Sequence, residues 1–168
     1  KESQANKALV DAVSDMEGVA VFNLYELSQE IAFNIDEWSK IISDASAVIY
    51  QFPFYWMSAP SLLKKWQDEV FTFLSKTPAV AGKPLTVVTT TGSEYEAYRS
   101  GGRNRFTTDE LLRPYQVSAI HSGMSWQTPI VVYGMGTADA GKNIAEGANL
   151  YKQRVEMLIG SSNAGNNW

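Results

Sequence analysis

Three short apolar runs, separated by helical patterns, constrain the fold of this chain of 168 residues more than any other feature. The runs are Ala47–Phe52, Leu85–Thr90 and Pro129–Tyr133. Continuous runs of this length suit strands that are covered on both faces, as in a parallel sheet. Because consecutive parallel strands need right-handed helical crossovers, the sequence predicts a doubly wound α/β domain with helices on both faces of the sheet.

Helical spacing of apolar residues fills the intervals between these runs. It predicts helices over Gln4–Asp15 and Asp36–Asp44, a helix from Pro60 that carries Trp66 and Phe73, a helix after the capping box Thr107–Glu110, and a closing helix over Gly141–Ile159. Val19–Phe22 is predicted as a further strand and Leu24–Ile35 as irregular. We expect one domain over residues 1–159, followed by a polar, Gly-rich tail over 160–168 that is disordered.

Composition excludes several classes of function. The chain has no cysteine and a single histidine, His121, so thiolate catalysis, Fe–S clusters and a multi-histidine metal site are excluded. The net charge is −4 and no basic block stands out, so nucleic acid is not an expected partner. No apolar run approaches the roughly 20 residues of a membrane span. The lack of cysteine fits a reducing, cytoplasmic location.

Three loops are candidates for a ligand site, since ligands of such folds bind beyond the carboxyl ends of the strands. Phe54-Tyr55-Trp56-Met57 follows a strand-ending proline and forms either a wall for a planar ligand or packing under neighbouring loops. Thr90-Thr91-Gly92-Ser93 is either a backbone cradle or a plain turn. Ser3-Gln4-Ala5-Asn6 is either a phosphate site at a helix N-terminus or an ordinary N-cap. Together the three would suit a phosphorylated planar cofactor such as FMN.

Several longer motifs resemble those of the flavodoxin-like NAD(P)H:quinone oxidoreductases, in particular the branch that includes the ancillary flavoproteins of bacterial potassium-efflux systems. The resemblance covers nearly all of residues 1–159. The segments that carry it are Ser3–Leu9, Asn23–Leu27, Gln51–Trp56, Pro60–Trp66, Thr90–Gly92, Phe106–Pro114 and Tyr151–Arg154.

The resemblance implies a flavodoxin-like fold, non-covalent FMN or FAD, NADH or NADPH as co-substrate, and a homodimer with active sites at the interface. It implies two-electron reduction of a quinone. Carried over by position, Ser3, Gln4, Ala5 and Asn6 would hold the phosphate, Phe54, Tyr55, Trp56 and Met57 would line the ribityl chain and rings, and Thr90, Thr91, Gly92 and Ser93 would contact the pyrimidine edge.

Two segments of the family pattern have no counterpart in this sequence. The family begins with a strand and an Ala-His-Pro-like turn before the Ser-x-Ala-Asn loop, whereas this sequence begins Lys1-Glu2-Ser3. It also carries a Gly/aromatic loop after the helix that contains Trp66, where this chain runs directly from Phe73-Leu74 to Ser75. Because the rest of the chain matches the family pattern evenly, we expect that these two segments are simply absent from the sequence given.

Six further side chains beyond the Thr-Thr-Gly loop have competing interpretations. Tyr98 is a candidate catalytic donor to a quinone oxygen, and Tyr95 a weaker one, with packing as the alternative role. Arg99, Arg103 and Arg105 flank Gly101-Gly102 and either grip the phosphate of NADPH or lie on a solvated loop. His121 is expected to be structural or exposed.

Three functions remain open on sequence grounds. The first is an FMN-dependent NAD(P)H:quinone oxidoreductase. The second is a regulatory ancillary subunit of a potassium-efflux antiporter, which would place the protein at the inner membrane through its partner. The third, a flavodoxin-type electron carrier, is disfavoured because such carriers are usually strongly acidic and −4 is a modest charge.

Overall fold

The structure of the protein is a computed structural model that describes residues 3–27 and 33–164. The α-helices are α1 Gln4–Asp11, α2 Leu24–Leu27, α3 Ile35–Asp44, α4 Ser61–Trp66, α5 Thr72–Leu74, α6 Thr108–Leu111, α7 Arg113–His121 and α8 Ala140–Ala164. A π-helical turn, Gln67–Phe71, joins α4 to α5, and a 3₁₀ turn spans Tyr95–Tyr98. The strands are β1 Val48–Pro53, β2 Pro84–Thr90, β3 Ser125–Trp126 and β4 Ile130–Val132.

All strand pairs in the sheet are parallel, and β2 lies at its centre. One edge of β2 pairs with β1, from Val48 opposite Leu85 to Pro53 opposite Thr90. Its other edge pairs first with the short β3 and then with β4, where Val88–Thr90 faces Ile130–Val132. Because all four strands run the same way, their carboxyl ends lie at one edge of the sheet.

Two apolar clusters pack against opposite faces of this sheet. The larger cluster joins α3, α4, α5 and α7 to the sheet and includes Trp38, Trp66, Tyr115 and Val87. The smaller cluster joins α1 and α8 to the opposite face, through Leu9, Val88 and Tyr151 among others. The expected doubly wound arrangement, a parallel sheet with helices on both faces, is therefore confirmed.

The prediction of a strand at Val19–Phe22 is wrong. The backbone of these residues forms no ladder with any strand of the described part of the chain, and Val21 and Phe22 are exposed. Phe22 packs its ring 5.5 Å from Trp38, and Val19 packs against the smaller cluster. A strand exists only where a neighbour supplies hydrogen bonds, and apolar composition alone does not provide that neighbour.

Three other boundaries differ from those expected. Leu24–Leu27 is helical within the segment expected to be irregular, whose residues 28–32 lie outside the described ranges. Helix α1 ends at Asp11 rather than Asp15. Helix α8 continues to Ala164, so residues 160–164 are not a disordered tail, and 165–168 lie outside the described ranges. Polar residues such as Ser161 can continue a helix where they face water. A polar composition therefore does not distinguish an exposed helix end from a disordered tail.

The predicted capping box of α6 is formed. Thr107 is the N-cap, its hydroxyl accepts from the N–H of Glu110, and the Glu110 carboxylate accepts from the N–H of Thr107 at 2.8 Å. These hydrogen bonds, led by the one from the Thr107 backbone, lower the pKa of Glu110. The cap fixes where the chain turns from the arginine-bearing loop back into the body of the domain.

Helix α8 packs closely against β4 at Gly147, and we expect a larger residue at this position to destabilise the fold. A Cβ added at Gly147 would lie 2.4 Å from Cγ2 of Val132, whereas one added at Gly160, in the same helix, would meet no atom within 4 Å. We expect Gly147→Ala to lower the free energy of unfolding by about 1–3 kcal/mol, since the helix must shift off the sheet. Gly160→Ala should be neutral or stabilising by up to about 1 kcal/mol. Urea denaturation of both variants measures this, and equal effects would contradict it.

Candidate functional site

The carboxyl ends of β1 and β2 bring two of the candidate loops together. Pro53 lies opposite Thr90 at the end of the parallel ladder, and the N–H of Phe54 donates to the carbonyl of Thr90 at 2.9 Å. The chain therefore leaves β1 into the aromatic segment at the point where β2 leads into Thr91–Ser93. This is the edge at which ligands of open α/β sheets bind.

Asn6 joins the third candidate loop to the same edge. Its side-chain amide donates to the hydroxyl of Thr90 at 2.7 Å, and the side-chain amide of Gln51 donates to the carbonyl of Asn6 at 2.8 Å. The start of α1 is thus tied to the ends of both β1 and β2. All three segments that the sequence proposed as ligand contacts meet in one place.

The N-terminus of α1 presents backbone donors at this place. Ser3 is the N-cap, and its hydroxyl accepts from the N–H of Asn6 at 3.4 Å. The N–H groups of Gln4 and Ala5 in the first turn have no acceptor within the helix. Free donors and the helix dipole at this end favour an anionic group such as a phosphate.

The aromatic segment forms a tight, strained turn. The N–H of Tyr55 donates to the carbonyl of Ser58 at 2.9 Å, and the N–H of Ser58 donates back to the carbonyl of Tyr55 at 3.0 Å. Between them Trp56 and Met57 both have positive φ, 47° and 62°, which is uncommon for bulky residues. Phe54 is buried, whereas Tyr55 is 51%, Trp56 98% and Met57 43% exposed. One ring therefore packs in the core, and the remaining three side chains reach solvent.

Tyr115 of α7 anchors this turn, a role that sequence reasoning missed. Its hydroxyl accepts from the N–H of Ala59 at 3.1 Å and lies 3.3 Å from the hydroxyl of Ser58. The Tyr115 ring is buried beside Phe52. No local pattern identifies the pair, because the contact spans 57 residues of sequence.

The Thr91-Gly92-Ser93 loop is held by a second glycine-containing loop, which sequence reasoning also missed. The N–H groups of Gly134, Met135 and Gly136 donate to the carbonyls of Ser93, Thr91 and Gly92, each at 2.9 Å. The N–H groups of Gly92 and Ser93 have no acceptor among the described residues, and a Cβ at Gly92 would meet nothing within 4 Å. Two backbone donors without a partner in the described chain thus lie on a loop whose position is fixed.

Tyr98 lies against the aromatic segment, beside a cavity. Its ring is buried, with its centroid 6.3 Å from that of Phe54 and 5.8 Å from that of Tyr133. The hydroxyls of Tyr133 and Thr108 lie 2.6 Å apart, and burial raises the pKa of Tyr133, so this phenol is neutral at ordinary pH. Tyr95, Tyr98 and Tyr133 line a cavity of about 570 Å³ together with Arg99, Arg154 and Met157.

The donors gathered at this edge fit a flavin mononucleotide. Helix-end N–H groups suit its phosphate, exposed aromatic side chains suit its ring system, and the N–H groups of Gly92 and Ser93 suit the carbonyl oxygens at one edge of the ring. Ser3, Gln4, Ala5 and Asn6 form the first group, Tyr55, Trp56 and Met57 the second, and Thr91, Gly92 and Ser93 the third.

Neither a metal site nor a membrane-spanning helix is found in the described part of the chain. No group of three or more metal-binding side chains occurs among residues 3–27 and 33–164. Over the same ranges, no helix has the length and apolar character needed to cross a membrane. His121 lies exposed at the end of α7.

The family comparison agrees with this geometry. A family model described as flavodoxin-like fold matches residues 1–155. The chain belongs to this family. Among its relatives, an uncharacterized NAD(P)H oxidoreductase of Bacillus subtilis is 33% identical over 162 residues, 94% of this chain and 82% of the relative. The ancillary protein KefG of the glutathione-regulated potassium-efflux system of Serratia proteamaculans is 35% identical over 137 residues, 79% of this chain and 75% of the relative.

Solved structures of the same fold superpose closely. General stress protein 14 of Treponema denticola, in complex with FMN, has a TM-score of 0.84 at 26% identity and covers 93% of this chain and 91% of that chain. An NADPH-quinone reductase from P. pentosaceus has a TM-score of 0.74 at 25% identity and covers 89% and 90%. The family thus includes oxidoreductases, and one of its structures holds FMN.

The anchoring role of Tyr115 can be tested directly. Tyr115→Phe removes the hydroxyl that holds Ala59, which should cost about 1 kcal/mol in the ordering of the turn. Titration with FMN, followed by flavin fluorescence, should show roughly fivefold weaker binding. The control is Tyr151→Phe, which changes a buried tyrosine in the cluster on the opposite face of the sheet. This variant should bind FMN as the parent does. Equal FMN affinity for the two variants would contradict the role of Tyr115.

Proposed function

We propose that this protein is a flavin-dependent NAD(P)H:quinone oxidoreductase that binds FMN without a covalent bond. The observation that supports this most is the meeting of three donor segments at the ends of β1 and β2, tied together by Asn6 and Thr90. Each segment alone has an ordinary structural explanation. Their convergence on one edge is what a phosphorylated planar cofactor requires.

The proposed roles follow from the donors that each segment supplies. The free N–H groups at Gln4 and Ala5 hold the phosphate, with Ser3 and Asn6 beside them. Phe54, Tyr55, Trp56 and Met57 line the ribityl chain and ring, with Phe54 acting from the core side. The bound flavin would supply hydride chemistry that no protein side chain provides.

The polar cradle orients the ring and favours its reduction. Donors at Gly92 and Ser93, with Thr90 and Thr91 beside them, are fixed by the Gly134–Gly136 loop before any ligand arrives. Fixed donors stabilise charge that develops on a bound ring without reorganising. Tyr98 is the proposed proton donor to a quinone oxygen, because its side chain carries a hydroxyl donor and its ring lies beside Phe54 at the site.

The NADPH-quinone reductase and the NAD(P)H oxidoreductase among the relatives support a nicotinamide nucleotide as the reductant and a quinone as the acceptor. The proposed assembly is a homodimer with active sites at its interface. A partner would cover the exposed side chains of Trp56 and Tyr95, which a monomer leaves in water.

A second candidate is an ancillary subunit of a potassium-efflux antiporter, and one observation favours it. The KefG relative covers most of this chain at 35% identity. In this role the protein would be cytoplasmic and held at the inner membrane by its partner. Catalysis and this role are compatible, so a pull-down from membranes with an inactive variant would separate them.

The proposed activity is tested by flavin loading and turnover. Purified protein incubated with FMN and desalted should keep a yellow chromophore and should oxidise NADH or NADPH only when a quinone is added. Mass spectrometry of the released chromophore distinguishes FMN from FAD. A colourless protein after incubation with either flavin would overturn the proposal.

The cradle can be blocked without disturbing the fold, which gives a sharper prediction. A Cβ added at Gly92 meets no protein atom within 4 Å, so Gly92→Val should leave thermal unfolding of the flavin-free protein nearly unchanged. It should weaken FMN binding roughly tenfold or more, because the added methyl groups occupy the space of the ring edge. Gly160→Val, a substitution remote from the site that also meets open space, serves as the control for FMN titration. Unchanged affinity in Gly92→Val would mean that the ligand does not lie over this loop.

A further inference from the structure

The loop that follows the 3₁₀ turn brings the side chain of Arg103 back to the cradle, the loop Thr90–Ser93. The guanidinium of Arg103 donates to the hydroxyl of Ser93, ten residues earlier in the chain. Ser93 also carries one of the two cradle N–H groups that have no acceptor in the described chain. A positive charge therefore lies beside a backbone donor that has no partner in the described chain.

Backbone contacts fix the path by which this loop runs back towards Ser93. Gly102 packs so closely that a Cβ there would lie 2.2 Å from the carbonyl oxygen of Glu96, so only glycine fits. The N–H of Asn104 donates to the carbonyl of Ala97 at 2.9 Å, and the N–H of Arg105 donates to that of Gly102 at 3.0 Å. Gly101 and Arg105 have positive φ, 85° and 61°. The backbone is thus held on both sides of Arg103, which fixes the point from which its side chain extends.

The neighbouring charges leave Arg103 without a compensating anion. Arg99 pairs with Glu96 at 3.3 Å and lies over the ring of Tyr95. Arg103 forms no ion pair with a carboxylate in the described residues, and its hydrogen bond goes to a neutral hydroxyl. Glu94 is the nearest acidic residue in sequence to Ser93, and it is exposed and forms no ion pair with Arg103. The charge of Arg103 is therefore available to an anion at the cradle.

We propose that Arg103, positioned by Ser93, is the cationic group that stabilises the negative charge acquired by a flavin ring at the Gly92–Ser93 cradle when it is reduced. This inference rests on the proposed function. Hydride transfer moves two electrons and a proton from the nicotinamide to the neutral oxidised ring, so the ring becomes an anion and the nicotinamide leaves as a cation. A positive charge near the ring edge lowers the energy of the product more than that of the reactant.

The geometry favours this role over a grip on the phosphate of NADPH. A phosphate clamp is built best from several converging cations, whereas here Arg99 is engaged by Glu96 and Tyr95. The side chain of Arg105 forms no hydrogen bond or ion pair with the described part of the chain, so of the three arginines in this loop only Arg103 is directed to a defined point of the site. That point is the hydroxyl of a cradle residue.

The test uses FMN-loaded full-length protein and four variants. Arg103→Gln removes the charge, Arg103→Lys keeps it, Ser93→Ala removes the positioning hydroxyl, and Arg105→Gln removes a charge from the same exposed loop. The first measurement is the midpoint potential of bound flavin. The second is the dissociation constant for sulfite, which adds to oxidised flavin to give an anionic adduct and requires no nicotinamide or quinone.

Arg103→Gln should weaken sulfite binding about fivefold, as expected for a partly exposed charge–charge interaction, and should lower the potential by the equivalent amount. Ser93→Ala should give a smaller change in the same direction. Arg103→Lys and Arg105→Gln should stay near the parent. FMN affinity of the oxidised form should change little in the Arg103→Gln, Arg103→Lys and Arg105→Gln variants, because the oxidised ring is neutral.

The outcomes separate this inference from the proposed function. If the parent protein binds no flavin, the proposed function itself fails. If flavin binds and is reduced but Arg103→Gln and Arg105→Gln give the same sulfite affinity and potential, the role of Arg103 is overturned. It is also overturned if Arg103→Gln changes only the preference for NADPH over NADH, since that result assigns the arginine to the nucleotide phosphate.

Discussion

Strand β2 is the element on which the rest of the structure depends, because it is buried on both faces and paired on both edges. Its apolar residues fill both clusters, while its threonines need acceptors that β1 and the segment between β3 and β4 supply. The hydroxyl of Thr89 donates to the carbonyl of Phe52 at 2.7 Å, and that of Thr86 donates to the carbonyl of Thr128 at 3.1 Å. A buried hydroxyl without such a partner costs about 1–3 kcal/mol, so these residues also select the register of the sheet.

The candidate site grows from the last residue of that strand. Thr90 accepts from the N–H of Phe54 through its carbonyl and from the side-chain amide of Asn6 through its hydroxyl. One buried residue thus links the aromatic turn, the start of α1 and the cradle. Donors held by a core strand need not be ordered when a ligand binds, which reduces the entropic cost of binding.

The sequence predicted these parts unequally, for physical reasons. Leu85–Thr90 was recognisable because burial on both faces removes polar alternation, and the candidate loops followed because ligand sites lie at strand ends. Val19–Phe22 has similar composition but no ladder, and a ladder depends on a neighbour that local sequence does not describe. Tyr115 and Gly134–Gly136 were missed for the same reason, since each acts on a loop that is distant in the chain.

The conformation of the turn at Tyr55–Ser58 is not explained by the stability of the fold alone. Left-handed backbone at Trp56 and Met57 costs roughly 1–2 kcal/mol for each residue, and glycine or asparagine would relieve much of it. The side chain of Trp56, 98% exposed, recovers almost nothing by packing within this chain. Hydrogen bonds from the N–H of Phe54 to Thr90 and from the N–H of Ala59 to Tyr115 instead hold the strained form in place. A rigid turn that displays a bulky ring to solvent makes energetic sense when a ligand or a second subunit covers that ring, so the strain and the exposure indicate the same surface.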